Sequence, residues 1–189
     1  MKPFIVVLEG PSGVGKDTVA AGLVAKWSEN YIKMPSITSR PMRENESQGN
    51  PYFFVTTEEF ERKIENGDVF EFTIMTRDNM YRGMSKKIIE DIAKTGKIQL
   101  KDCDWVGIEA LKREYGKDRV LAVYLDVPRK EIARRIRERG GDKCDIKRRI
   151  KDYDAYKKIR DFCCVSVPNL CLDACVDQIH ELVQEKFSL

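Results

Sequence analysis

The strongest constraint on this chain lies in its first eighteen residues. An apolar run, Phe4-Ile5-Val6-Val7-Leu8, leads into Gly10-Pro11-Ser12-Gly13-Val14-Gly15-Lys16-Asp17-Thr18. A short apolar run rich in β-branched residues and bounded by glycine reads as a buried strand, and the residues after the loop carry a helical pattern. The segment between is a complete phosphate-binding loop, G-x-x-x-x-G-K. Its glycines let backbone N–H groups wrap around a phosphate, and the start of the next helix adds partial positive charge. Lys16 then reaches the outer phosphates. The next position ordinarily carries a Ser or Thr hydroxyl for magnesium; here it is Asp17, with Thr18 one step later.

Further strand-like runs fall at 97–101, 120–125 and 162–167, beside the first at 4–9. Helical patterns occupy 16–29, 85–95, 105–114, 128–138, 145–161 and 172–186. This alternation predicts a three-layer α/β domain around a mostly parallel sheet. Pro128 suits a helix start, and Gly96 and Gly116 sit where helices would end. Two stretches interrupt the alternation. Residues 35–83 hold short alternating runs, Tyr52-Phe53-Phe54-Val55 and Val69-Phe70-Glu71-Phe72, and a helix at 57–66, which reads as a small, mainly β insertion. Residues 134–150 are dense in arginine, with Gly140-Gly141 as a hinge or tip.

With 189 residues, 42% hydrophobic and 34% charged, the chain is expected to form one soluble globular domain. A net charge of +3 does not argue for nucleic acid or a membrane as partner. No secretory leader and no run of about 20 apolar residues stands in the sequence, so the expected location is cytoplasmic. No obligate protein partner is indicated. The cysteines at 103, 144, 163, 164, 171 and 175 lack paired C-x-x-C spacing and read as thiols, with Cys171 and Cys175 at core-like helical spacing. His180, the single histidine, reads as a surface or packing residue.

Over nearly its full length the chain resembles the guanylate kinase family. The resemblance rests on ordered segments: the loop Gly-Pro-Ser-Gly-Val-Gly-Lys; Ser36-Ile-Thr-Ser-Arg40-Pro-Met-Arg43; Pro51-Tyr52-Phe-Phe-Val with Glu58-Glu59-Phe60; and Glu71 followed by Tyr81-Arg82-Gly83. It continues through Asp102-Cys-Asp104-Trp-Val-Gly107, Arg135-Ile-Arg-Glu-Arg139-Gly140 with Arg149 beyond, and Asn169.

The resemblance implies a P-loop kinase fold with a core of 1–34, 84–133 and 159–189, an acceptor-binding insertion at 35–83 and an Arg-rich helical lid at 134–158. It implies ATP-dependent phosphorylation of GMP or dGMP, with Mg2+ accompanying ATP. Gly10, Ser12, Gly13, Val14, Gly15, Lys16, Asp17 and Thr18 would hold the donor phosphates, and Asn169 the adenine side. Ser36, Arg40, Arg43 and Tyr52 would hold the acceptor phosphate, since guanidinium forks match phosphate geometry. Tyr81 and Arg82 extend that set. Glu71 and Asp104 would accept hydrogen bonds from guanine N1–H and its exocyclic amine; the plainer reading is a surface acid or a helix cap. Asp17 and the strand-end Asp102 would serve magnesium, through water. Lys16, Arg135, Arg139 and Arg149 would stabilise charge on the transferring phosphoryl group.

The chain departs from the family pattern at four places. Asp17 replaces the magnesium-binding hydroxyl. Arg82 replaces the second Tyr of Tyr-Tyr-Gly, so that Tyr81 could substitute. Met84 replaces a guanine-reading hydroxyl, which the adjacent Ser85 could supply, and Val106 replaces a Gln. These leave open a related kinase acting on a modified or other deoxynucleotide, or on ribose 1,5-bisphosphate. A non-catalytic guanylate-kinase-like binding module is a further alternative, against which the intact Gly13, Gly15 and Lys16 argue.

Overall fold

The computed structural model describes residues 2–75, 79–151, 153–160, 163 and 165–188. Five strands pair in parallel in the order β2 (Tyr31–Lys33), β7 (Ile98–Asp102), β1 (Ile5–Glu9), β8 (Val120–Asp126) and β9 (Val165–Pro168). Strands buried on both faces read as continuous apolar runs, and β1 is buried at every position. The period of two sorts them. Val6 and Leu8 enter the main core with residues of α1 (Lys16–Lys26), α5 (Arg129–Glu138) and α8 (Leu172–Phe187). Ile5 and Val7 enter a second core with residues of α3 (Lys86–Ala93) and α4 (Trp105–Tyr115).

A separate mixed sheet has the order β4 (Tyr52–Phe54), β3 (Ser36–Thr38), β6 (Met80–Ser85) and β5 (Val69–Met75). Helix α2 (Thr57–Glu65) closes one face of it, with Phe60 buried beside Ile37 and Val69. The side chain of Thr56 caps that helix by accepting from Glu59 N–H at 3.1 Å.

Several elements differ from the sequence expectation. The first helix ends at Lys26, because Trp27 leaves helical geometry and its ring stacks on His180 at 3.9 Å. His180 also meets the Tyr31 hydroxyl, 2.8 Å from Nδ1, so it is a packing residue. The single helix expected at 145–161 is two, α6 (Lys143–Ile150) and α7 (Tyr153–Ile159). α6 starts early because Asp142 caps it, accepting from Asp145 N–H at 2.7 Å, and α7 is held separately by Tyr153, whose hydroxyl donates to Val127 O at 3.1 Å. Of the strand expected at 162–167, β9 covers the latter part, and residues 162 and 164 lie outside the described residues. Strands β2, β3 and β6 were not expected.

Candidate active site

Leu8 pairs with Asp102, so β1 and β7 end side by side and the phosphate-binding loop opens at the carboxyl edge of the sheet. There Lys16 folds back, its Nζ donating to Gly10 O at 2.5 Å. Gly15 has φ +102, and a Cβ there would meet Asn169 Nδ2 at 2.9 Å, so both backbone and space demand glycine. The Asn169 amide donates to Val14 O at 2.8 Å. Arg135 donates to the same carbonyl at 3.1 Å and to Asn169 O at 2.6 Å, while its Nε is held by Glu131 at 2.8 Å. Two residues expected at the adenine site and on the transferring phosphate thus brace the loop's backbone.

Arg149 reaches the loop from α6: it donates to Ser12 Oγ at 2.9 Å and is steadied by Asp145, also at 2.9 Å. Arg139 is exposed. With Gly15, Thr18, Asn169, Leu170 and Leu172 it lines a cavity of about 300 Å3 beside the loop.

Glu9 is buried at the end of β1, and desolvation lifts its carboxyl to about 7, against the opposing pull of a hydrogen bond from Gly10 and the charge of Lys16. Burial lowers the Lys16 ammonium from its usual value. Asp17 is exposed and pairs with Lys33 at 2.6 Å, which holds its carboxyl below the usual range. Asp17 and Asp102 nonetheless line one cavity, and Asp102 also borders the opening shared by Glu9 and Lys16. No group of three or more His, Cys, Asp or Glu side chains suited to hold a metal occurs among the described residues.

Two adjoining cavities lie between the sheets. One, of about 260 Å3, is lined by Glu71, Thr73, Met84, Cys103 and Asp104 among others. Its neighbour, of about 230 Å3, is lined by Lys33, Pro51 and Tyr52 among others. Ser36, Arg82, Lys101 and Asp102 belong to both. Asp104 caps α4, one oxygen accepting from Gly107 N–H at 3.1 Å. Burial raises the Glu71 carboxyl, and the charge of Asp104 adds to the effect. Gly83 is required here, since a Cβ would come within 2.4 Å of Glu71 O.

Strand alternation decides which expected residues reach this cleft. Arg82 and Met84 face it. Tyr81, the expected substitute, is on the opposite face, stacked on Phe60 at 5.0 Å and donating to Glu61 at 2.9 Å. Ser85 does not replace the missing hydroxyl either: it donates to Asp68 at 2.8 Å and caps α3. Arg40 donates to both oxygens of Glu46 at 2.7 and 2.9 Å. Its guanidinium lies 5.5 Å from the centre of the Tyr52 ring, as does that of Arg82. Arg43 is exposed and lines neither cavity. Lys101, Thr73 and Cys103 entered the cleft without notice in the sequence. A lysine near a strand end reads as solvated, and nothing in the local pattern marks it as inward-facing.

Cys175 is buried, whereas Cys171, expected to share the core, is exposed as the residue preceding α8. Cys103, Cys144, Cys171 and Cys175 are free thiols; Cys164 lies outside the described residues. No helix among the described residues is long and apolar enough to cross a membrane.

Comparison with known proteins agrees with this geometry. The family model described as guanylate kinase matches residues 1–186. The chain is 34% identical over 186 residues to a guanylate kinase of Porphyromonas gingivalis, covering 96% of each protein. It is 32% identical over 188 residues to one of Novosphingobium aromaticivorans, covering 95% of this chain and 80% of that relative. The crystal structure of guanylate kinase from Anaplasma phagocytophilum superposes with a TM-score of 0.71 at 25% identity, over 100% of this chain and 88% of that one.

Proposed function

Because the chain belongs to the guanylate kinase family, we propose that it moves the terminal phosphoryl group of ATP onto the monophosphate of GMP or dGMP, giving ADP and GDP or dGDP. One observation carries the choice of acceptor. The carboxylates of Glu71 and Asp104 line one end of a divided cleft, and Ser36, Tyr52 and Arg82 line the adjoining part. Guanine offers two adjacent donors, N1–H and the exocyclic amine, and carboxylates are acceptors when ionised.

The donor phosphates rest on the loop at 10–18, with Lys16 on the outer ones. Magnesium, when bound with ATP, neutralises and orients the phosphate chain. Asp102 and Asp17, hard oxygen donors on one cavity wall, suit an ion that keeps most of its water. No protein nucleophile is needed, because positioning and electrostatics perform the transfer. Arg149 on Ser12, with Arg139 beside the loop, supplies cations from the segment 134–158, which we read as a lid over the donor.

A coupled ADP-release assay across GMP, dGMP, AMP, CMP, UMP, dTMP and ribose 1,5-bisphosphate tests the reading. GMP and dGMP are expected to be turned over fastest; inert GMP and dGMP would refute it. A modified deoxynucleotide is the second reading. It is favoured by Met84 in the cleft, with Ser85 committed elsewhere.

A further inference from the structure

Lys101 is the penultimate residue of β7, a strand flanked by β1 on one side and β2 on the other. Its backbone pairs with Val7. Its side chain is only 3% exposed. A cation at such a position is costly unless it is paired. Its pairing is incomplete: Nζ donates to Ser36 Oγ at 2.5 Å, and its ion-pair partner, Asp102, is 4.0 Å away, beyond hydrogen-bond reach. An ammonium has three N–H donors, so two remain to be matched. Burial pushes its pKa below the usual lysine value, as expected for a cation short of countercharge.

The location says where the countercharge comes from. Lys101 stands in the wall common to both halves of the cleft, together with Ser36 and Arg82. The fixed charges around it are Glu71 and Asp104 in the larger cavity, Asp17 and Lys33 in the smaller, and Arg82 and Asp102 in both. The smaller cavity therefore sets three cations, Lys33, Arg82 and Lys101, against two anions, Asp17 and Asp102, beside Tyr52 and Ser36, while Arg43 lies outside it. By accepting from Lys101, Ser36 keeps its own O–H free to donate outward.

We propose that Lys101 is a direct contact to the acceptor's phosphate, its ammonium joining Ser36, Tyr52 and Arg82 in one phosphate seat, so that this chain selects phosphorylated over unphosphorylated acceptors partly through a buried lysine. The proposal rests on the reading that a nucleoside monophosphate occupies this cleft. The unmatched donors are met when substrate arrives, and the incoming dianion supplies the missing countercharge.

The test compares a nucleotide with its nucleoside. In Lys101→Met, which keeps the unbranched stem and removes the charge, calorimetric titration is expected to show GMP binding weakened by about 10- to 100-fold, as for loss of a charge-assisted hydrogen bond. Guanosine and ATP affinities should stay within about threefold, and Lys101→Arg should recover part of the GMP affinity. GMP binding within threefold of the parent, or equal weakening of GMP and guanosine, would overturn the proposal. Should Lys101→Met fail to fold, Lys101→Gln keeps a donor toward Ser36 and is read identically. If the parent phosphorylates another monophosphate instead of GMP, the guanine reading fails separately. The Lys101 comparison is then made with that nucleotide and its nucleoside.

Discussion

Asn169 and Val14 lie 155 residues apart in sequence and are joined by a 2.8 Å hydrogen bond from the asparagine amide to the valine carbonyl. Arg135 shares that carbonyl. The loop at 10–18 is therefore shaped by α5 and by the turn after β9, as well as by its own glycines. Preorganisation of this kind spares binding energy that would otherwise order the loop.

Asn169→Ala and Arg135→Ala should each destabilise the free protein by about 0.5–1.5 kcal/mol, the net worth of an ordinary hydrogen bond. The double variant should lose more than the sum, because only then does the Val14 carbonyl lose both partners. Urea unfolding without nucleotide measures this, and ATP KM should rise in parallel. A fall in kcat for Arg135→Ala with unchanged stability and KM would instead put its guanidinium on the transferring phosphoryl group.

Lys16→Ala should lower kcat by about 100- to 1,000-fold or more, the usual effect of removing one preorganised group from a transition-state charge. Among the described residues its side-chain hydrogen bond is the one to Gly10 O, so far-UV circular dichroism and melting should change little. Near-normal turnover would remove the donor site from this loop.

Glu9 gives the fold a pH signature. Its carboxyl titrates at about 7 in the folded protein against 4.5 as the ordinary value, so the folded state holds the proton more tightly between these limits. Stability from this group is fully present below about 4.5 and is lost as pH rises through 7. The full span corresponds to about 3 kcal/mol at most. Glu9→Gln keeps an acceptor for Gly10 N–H and cannot ionise. It should therefore gain stability over the parent as pH goes from 5 to 8, measured by urea unfolding. A pH-independent difference between the two proteins would sink the assignment.

The parts of this design that were legible in sequence are those with long-range apolar patterns or a backbone-defined motif. The run before Gly10 specified β1, and the glycines and Lys16 specified the loop. Met80–Ser85 was hidden because Met-Tyr-Arg-Gly-Met-Ser carries no apolar alternation, and Ser36–Thr38 because three residues have no period to read. Without β6, nothing in sequence could say that Arg82 faces the cleft and Tyr81 does not. Lys101 escaped for a related reason: its burial is imposed by β1 and β2 on either side, not by its neighbours in the chain.

Glu71→Gln and Asp104→Asn should erode selectivity for guanine nucleotides. An ionised carboxylate only accepts, whereas a carboxamide sets an N–H2 donor against a guanine N–H and leaves both unmatched. Leaving such a group unsatisfied costs about 1–3 kcal/mol, or about 5- to 150-fold in kcat/KM. Asp104 permits a clean experiment. One of its oxygens caps α4 through Gly107 N–H, and an asparagine would keep that bond through its carbonyl while turning its amide toward the base. Stability of Asp104→Asn should thus stay within about 0.5 kcal/mol of the parent, as asparagine and aspartate cap equally well. GMP turnover should fall all the same, and Asp104→Ala should lose both. The raised pKa of Glu71 adds a pH arm: as pH falls through its titration the acceptor pair is lost, so GMP KM should climb at acidic pH in the parent and much less in Glu71→Gln. If Asp104→Asn keeps full GMP selectivity over AMP, the carboxylate serves the helix alone.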